Sequence, residues 1–316
     1  MRALQIIDPN SAATLAAANV PTPAPGEGEM LIQVYAAGVT PSELRWYPTS
    51  HKKDGSVRPL AVPGHEFSGV VAQLGERVEG FAAGDEVFGM NDWFADGASA
   101  EFCVTVPSNI ARKPSRLTHA EAATVPIGAL TAWQGLLDRA KLQTGERLLV
   151  HGAAGAVGVF VVQLARLRGA EVVATASGRN REFLLQLGVK QVIDYTTDAF
   201  DKIVRNADVV FDAVGGETLT RSWKVLKPGG RLVTIAADSE GANDPRVKDA
   251  FFIVEPSQGQ LVELGRLLNT GKLQVFVDAQ VPLANAPAAY AGSVVRKHGY
   301  GKVVIVTPAY EARVFA

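Results

Sequence analysis

The sequence predicts an α/β protein with a doubly wound parallel sheet and a second, β-rich domain. Three observations lead there. A strand, a glycine turn, a helix and a second strand follow one another between Arg147 and Ser177. Helical and apolar strand segments then alternate from Arg181 to Ala236. Residues 1–115, by contrast, carry short apolar runs punctuated by Gly and Pro. Strands alternating with helices pair in parallel, whereas closely spaced strands between turns build a barrel or sandwich. With 316 residues, the chain exceeds the usual size of one domain, so two are the default.

The β-rich stretch contains apolar runs at Leu4 to Ile7, Met30 to Ala37 and Gly69 to Ala72. Turns such as Pro25-Gly26-Glu27-Gly28 and Ala83-Gly84-Asp85 separate them. From about Thr118 the character changes to Ala-rich helical sequence, Ala120 to Thr124 and Leu130 to Asp138. The unit at Arg147 follows. Its first strand, Leu148 to His151, breaks into Gly152-Ala153-Ala154-Gly155-Ala156-Val157-Gly158. A helix with Val157, Phe160, Val161 and Leu164 on one face leads to the second strand, Val172 to Ser177. Gly155 and Gly158 match the second and third glycines of a dinucleotide-binding fingerprint, with Ala153 at the first. The turn must be tight, its backbone must approach a diphosphate, and the helix must pack closely. The helix N-terminus near Ala156 offers unpaired N–H groups and partial positive charge to that anion.

An NAD-preferring site carries Asp or Glu roughly 20 residues beyond the turn. Here Ser177-Gly178-Arg179 stands at that place. A 2′-phosphate would meet a hydroxyl and a guanidinium, and such a charge-assisted hydrogen bond is worth about 1.5–3 kcal/mol, roughly tenfold to a hundredfold in preference. NADP is therefore expected over NAD; the alternative is that Arg179 is a solvated residue at a helix start.

Helix Arg181 to Leu187 precedes strand Gln191 to Tyr195, and helix Ala199 to Arg205 precedes strand Asp208 to Val214. Helix Leu219 to Leu226 ends at Pro228-Gly229-Gly230, before strand Arg231 to Ala236. Phe251 to Val254 reads as a last strand, and Gln260 to Leu268 as a helix ending at Asn269-Thr270-Gly271. The tail returns to strands, Leu273 to Val281 and Gly301 to Thr307, around a helical piece near Ala288 to Arg296. The simplest topology joins residues 272–316 to residues 1–117 as one domain, leaves 118–271 as the nucleotide-binding domain, and opens a cleft between them.

Composition is that of an ordinary globular protein, 47% hydrophobic and 20% charged with net charge −1. It gives no reason to expect nucleic acid or an anionic membrane as partner. No apolar stretch reads as a membrane span, and the first residues lack a signal-peptide pattern. Cys103 is the only cysteine, which excludes an internal disulfide and multi-cysteine zinc sites. It reads as a small packed residue in a strand, and a reducing cytoplasm is the expected location.

With these residues in view, the chain resembles the medium-chain dehydrogenase/reductase superfamily, and within it the zinc-independent quinone oxidoreductase and enone reductase branch. The resemblance rests on Pro63-Gly64-His65-Glu66-Phe67-Ser68-Gly69, Gly84-Asp85-Glu86-Val87-Phe88-Gly89 and Leu130-Thr131-Ala132-Trp133. It continues through Gly152 to Gly158, Leu187-Gly188 leading to Val192-Ile193-Asp194-Tyr195, Phe211-Asp212-Ala213-Val214-Gly215-Gly216, and Gly301-Lys302-Val303-Val304. It implies a GroES-like β-rich catalytic domain plus a Rossmann doubly wound parallel-sheet domain. It also implies homodimers, often paired through the last Rossmann strand, here Phe251 to Val254.

A catalytic zinc needs three protein ligands. Zinc-dependent relatives take one Cys where this chain has Thr40, a His matching His65, and a later Cys near Pro126-Ile127-Gly128. One candidate of three remains, so no metal is expected, and His65 and Glu66 are read as hydrogen-bonding residues that hold the β domain together. Conjugate reduction then suits the chain better than alcohol oxidation, because charge spreads onto a distant oxygen that hydrogen-bond donors can stabilise. The expected substrate is a small quinone or α,β-unsaturated carbonyl. Thr40, Trp46, Tyr47, Trp93 and Phe94 are candidates for its wall, although each is also explained by ordinary loop packing. Relatives of the quinone branch often carry Asn at the position of Thr40 and Tyr at that of Arg45; Tyr47 is a substitute donor.

By resemblance, Thr131 sits by the nicotinamide, and Ala154, Gly155, Ala156 and Val157 at the diphosphate. Ser177, Arg179 and Tyr195 face the adenosine 2′-phosphate. Asp212, Ala213, Val214 and Ala236 line the ribose and nicotinamide channel, Phe252 and Val254 meet the carboxamide, and Lys302 reaches the cofactor from the tail. Two other readings stay open: an NADPH-binding structural or sensing protein without turnover, and a zinc-dependent alcohol dehydrogenase.

Overall fold

The computed structural model describes residues 1–8 and 14–314. Their contacts divide into two units. One comprises Met1–Ile127, Glu255–His298 and Lys302–Ala316; the other comprises Gly128–Val254 and Gly299–Gly301.

In the second unit five parallel strands lie in the order Gln191–Asp194, Glu171–Ala176, Arg147–His151, Ala207–Asp212, Leu226–Thr234. Counted along the chain this is 3-2-1-4-5, the doubly wound arrangement, with its switch point between the first and fourth strands. Leu149, Val173, Ile193 and Val210 fill the core on one side of the sheet, against Phe200, Val204 and Leu219 from the crossovers. Both faces of such a sheet are covered by helices, which is why its strands read as continuous apolar runs.

Two expectations fail here. Pro228-Gly229-Gly230 does not precede the last strand but bulges within it: Ala207 pairs with Leu226, and the next partners are Val209 and Arg231. The preceding helix is accordingly Gly216–Ser222, not Leu219 to Leu226. Phe251 to Val254 forms no strand, only a single bridge from Phe251 to Thr234. Phe252 N donates once to the Thr234 carbonyl at 3.2 Å, and the chain then leaves the unit at Glu255-Pro256, where a proline cannot donate to a ladder.

The first unit holds a seven-stranded sheet. Its path runs Val277–Pro282, Lys302–Val306, Met30–Gly38, Glu66–Leu74, Glu86–Met90, Ile110–Arg112, and Phe102–Thr105 also pairs with Met30–Gly38. Strands Arg2–Asp8 and Thr14–Asn19 form a separate antiparallel pair. Met30–Gly38 and Glu66–Leu74 pair through two register shifts. At Gly69 a β-carbon would press into the Gln33 backbone, so only glycine permits that approach. Met30, Ile32, Val34, Phe67, Val71 and Val87 make the core, with Cys103 buried among them as expected; burial pushes its thiol far up from the ordinary range.

The domain boundaries expected at 117/118 and 271/272 move to Ile127/Gly128 and Val254/Glu255. Helix His119–Ala122 packs on the seven-stranded sheet, with Ala120 and Ala123 against Ala36, Val304 and Val306. Helix Gln258–Asn269 lies over Ile110–Arg112, its Gly265 facing Phe88 and Pro114. An amphipathic pattern reveals that a helix has a buried face but not which sheet that face covers.

Two buried histidines have a measurable consequence. His151 bridges Thr175 Oγ1 (2.9 Å) and Ser222 Oγ (3.0 Å) beneath the glycine turn, and burial lowers it to about 4. Burial likewise lowers His119 to about 4, against the opposing pull of Glu86. The unfolded chain binds protons at these sites near pH 6.5 while the folded chain does not. Their contribution is therefore fully present above about pH 6.5 and lost as pH falls toward 4, roughly 3 kcal/mol for each histidine. Urea unfolding at a series of pH values should show this decline, and His151→Gln should flatten part of it; an unchanged slope in that variant would exclude His151 as a source.

Candidate active site

Gly152 takes φ +75° as the first strand ends, a left-handed conformation that favours glycine. Gly155 N closes the turn on the Gly152 carbonyl at 3.0 Å. A β-carbon on Gly158 would run into that carbonyl and lie 2.6 Å from Ala153 Cα, so the helix Gly158–Leu167 packs as closely as the fingerprint requires. Gly155 is exposed and Ala156 and Val157 half-buried; Val159 N and Phe160 N already donate to the Gly155 and Val157 carbonyls at 3.1 and 3.0 Å, so an anion would be met by the turn just ahead of the helix. Gly128 brings the helix Pro126–Trp133 against this turn: its β-carbon would meet the Ala156 carbonyl at 2.7 Å and the Phe160 ring at 3.1 Å. Thr131, on the same helix, is buried.

Strand register brings together the residues expected on the adenosine side. Ala176 pairs with Asp194, which places Ser177 and Arg179 beside Tyr195, whose side chain is 64% exposed. Asp194 itself escaped the sequence reasoning. Its Oδ1 accepts from Thr196 N (3.0 Å) and Thr196 Oγ1 (2.7 Å), and those bonds, with one from the Gly178 backbone, hold its carboxyl below the usual range. It fastens the turn that presents Arg179; the Asp-Tyr-Thr sequence after a strand was the available signal.

At the switch point Gly152 faces Ala213 and Val214, and Val214 is 54% exposed. Asp212 is turned inward. Its carboxylate accepts from Val214 N (3.1 Å), Gly215 N (3.1 and 3.2 Å) and Thr234 Oγ1 (2.9 Å), and burial raises its pKa against those bonds. It shapes the loop after the strand. Ala236, Phe252 and Val254 are buried, the Phe252 ring lying under the Arg139 guanidinium at 4.9 Å.

On the β-rich unit, Lys302, which the resemblance implies reaches the cofactor, is buried. Its Nζ is buried in an ion pair with Glu66 and donates to Thr40 Oγ1 at 3.0 Å. Glu66 Oε2 accepts from Ile127 N at 2.9 Å, and Thr40 Oγ1 lies 3.4 Å from Glu66 Oε1. Gly38 makes room: its β-carbon would sit 2.7 Å from Glu66 Cγ. Burial pushes Lys302 down to about 7, with the Glu43 carboxylate acting the other way.

A second buried network adjoins His65 and was not visible in the sequence. Glu43 is fully buried and accepts from Tyr290 OH (2.9 Å), Gly64 N (3.1 Å) and His65 N (3.3 Å). His65 Nδ1 lies 2.6 Å from Glu43 Oε2 and Nε2 3.2 Å from the Ala95 carbonyl. Burial and Glu43 drive the Tyr290 phenol well above its ordinary value. Among the wall candidates, Trp46 meets Trp93 edge to face at 4.7 Å, and Trp93 meets His65 at 4.8 Å. Tyr47 instead stacks on His51 at the surface, and Phe94 lies under Lys53. The structure thus gathers Thr40, Trp46 and Trp93 around His65 and Glu66, and sets Tyr47 and Phe94 apart.

Comparison with known proteins shows the family. Residues 26–133 match the model of the alcohol dehydrogenase GroES-like domain, and residues 187–305 that of the zinc-binding dehydrogenase family. The chain belongs to the medium-chain dehydrogenase/reductase superfamily. It is an oxidoreductase of that superfamily, built from a GroES-like domain and a Rossmann-type parallel sheet. It is 35% identical over 317 residues to a probable zinc-binding oxidoreductase, mitochondrial, of Arthroderma benhamiae, covering 93% of each chain. It is 33% identical over 297 residues to the NADPH-dependent alkenal/one oxidoreductase, chloroplastic, of Arabidopsis thaliana, covering 91% of this chain and 74% of the relative. The quinone oxidoreductase of Coxiella burnetii superposes with a TM-score of 0.86 at 29% identity, over 97% of this chain and 99% of that one. Among the described residues no helix is long and apolar enough to cross a membrane.

Proposed function

We propose that this chain is an NADPH-dependent, zinc-independent reductase of quinones or α,β-unsaturated carbonyls. The observation that carries the reading is the buried Lys302–Glu66–Thr40 cluster beside a fully engaged His65. Zinc does not fit these residues. Neither His65 ring nitrogen is free, Glu66 already pairs with an ammonium, and the Ala156 carbonyl and Phe160 ring leave no room for a ligating side chain at Gly128. NADPH fits: the glycine turn presents N–H groups, and Ser177 and Arg179 stand where a carboxylate would select NAD.

Bound NADPH supplies a hydride. The chain's own residues bind, orient and exclude water. The turn Gly155-Ala156-Val157 at the head of helix Gly158–Leu167 holds the diphosphate, and Arg179 the 2′-phosphate. Trp46 and Trp93 offer an apolar wall suited to a flat conjugated substrate. Thr40 Oγ1, half-buried and bonded to Lys302 Nζ, is the open end of the cluster and a donor for oxygen that gains negative charge. The similarity to an alkenal/one oxidoreductase and to a quinone oxidoreductase supports the substrate class.

The test is steady-state NADPH consumption with a panel of enals, enones and quinones, alongside elemental analysis. Turnover with less than stoichiometric metal is expected. Arg179→Ala should lower kcat/KM for NADPH by about tenfold to a hundredfold relative to NADH. Tight NADPH binding without turnover on any substrate would favour a sensing or structural role, and one zinc per chain with loss of activity on chelation would favour an alcohol dehydrogenase.

A further inference from the structure

After leaving the Rossmann-type unit at Val254, the chain returns to it for three residues, Gly299–Gly301. Each makes a defined contact there. Gly301 N donates to the Ala154 carbonyl at 3.0 Å, in the middle of the diphosphate turn. The Tyr300 ring stacks on Phe183, centroids 3.6 Å apart and planes within 8°; Phe183 lies on helix Arg181–Gln186, just after Arg179. Gly299, at φ +78°, passes directly against Arg179: a β-carbon there would lie 3.2 Å from Cζ and Nη2 and 3.5 Å from Nε.

Arg179 is otherwise unsupported. It is exposed and forms no hydrogen bond or ion pair among the described residues. An exposed arginine samples many rotamers, and that freedom is lost when a phosphate is bound. The backbone of Gly299 gives the guanidinium a flat bearing surface on one side and leaves its N–H groups available. Any side chain at position 299 would occupy that surface, and the left-handed backbone would strain it further.

Building on the NADPH reading above, we propose that the return segment Gly299–Tyr300–Gly301 is a cofactor-specificity element, with Gly299 the positioning residue that sets the Arg179 guanidinium toward the adenosine 2′-phosphate. Tyr300 and Gly301 hold Gly299 in register, one through Phe183 and the other through Ala154. Discrimination between phosphorylated and unphosphorylated cofactor then depends on a segment remote in sequence from the glycine turn.

Calorimetry on the full chain with adenosine 2′,5′-bisphosphate and with 5′-AMP isolates this effect from turnover. The ratio of the two affinities should favour the bisphosphate in the wild type. It should fall about tenfold in Gly299→Val, fall in the same direction in Tyr300→Leu, and collapse in Arg179→Ala. If Gly299→Val fails to fold, as judged by circular dichroism, Gly299→Ala takes its place with a smaller fall. A Gly299 variant with the wild-type ratio, beside an Arg179→Ala variant that has lost it, overturns the role of the segment while leaving the NADPH reading intact. A wild type that does not distinguish the two nucleotides overturns both.

Discussion

Gly158→Val should abolish dinucleotide binding and lower stability by several kcal/mol. The added side chain meets backbone on every side: the Gly152 carbonyl oxygen, Ala153 Cα at 2.6 Å and Ala153 C at 2.7 Å. None of these is the end of a flexible side chain that could swing away. Overpacking at such a place costs about 1–3 kcal/mol or more, and the relaxation available is to move the helix off the strand, which opens the turn that holds the diphosphate. Gly155→Ala is the contrast. Its β-carbon would find only the Gly152 carbonyl, at 3.2 Å, a contact that a small shift relieves. Fluorescence titration with NADPH and urea unfolding should therefore separate the two variants sharply. Wild-type affinity in Gly158→Val would mean that the close helix–strand approach is not what forms the site.

The second large effect is expected at the buried ion pair. Glu66→Ala leaves the Lys302 ammonium without its carboxylate and the Ile127 N–H without its acceptor. Breaking a buried pair in this way costs about 3–5 kcal/mol. Replacing both partners, Glu66→Leu with Lys302→Met, should recover part of that loss, because no uncompensated charge remains. The single variant also has a predictable pH dependence. Burial already holds Lys302 down at about 7, whereas the unfolded chain keeps that proton until near pH 10.4. Loss of the carboxylate lowers Lys302 further in the variant, so the unfolded state binds more protons from below pH 7 up to about 10, and the stability of Glu66→Ala should rise across that range. A flat profile between pH 7 and 10 would show that Lys302 is not the group left charged. Loss of catalytic rate in Lys302→Met at intact NADPH affinity would further link the cluster to the substrate side of the reaction.

These two sites differ in how much of them could be read in advance. The glycine turn was legible because its reasons are local: a tight turn, a close helix and an anion all act within residues 147–177, and periodicity carries the rest. The same holds for Ser177 and Arg179, which lie at a fixed distance from that turn. Lys302 was legible as a residue of interest but not in its role. A lysine next to Gly301 says nothing of a strand pairing that carries it, 262 positions away, onto Thr40. Glu43 and Tyr290, 247 positions apart, gave no signal at all. Neither has a motif; Glu43 is explained by Tyr290, Gly64 and His65, and Tyr290 by Glu43 and Ser99.

The misplaced boundaries follow the same division. Ala120 to Thr124 and Gln260 to Leu268 were read as helical and grouped with the nucleotide-binding domain, whereas helices His119–Ala122 and Gln258–Asn269 fall in the other unit by contact. Propensity and amphipathic spacing act over a turn or two of chain, and so does the chemistry of a glycine turn; this much the order of residues settles without help, including the parallel sheet. Which sheet a helix covers, whether Phe251 to Val254 pairs as a ladder, and which buried carboxylate meets which cation depend on surfaces brought together from distant positions. Those choices are made by burial and by the cost of an unpaired polar group, terms that take a value only once the chain has packed.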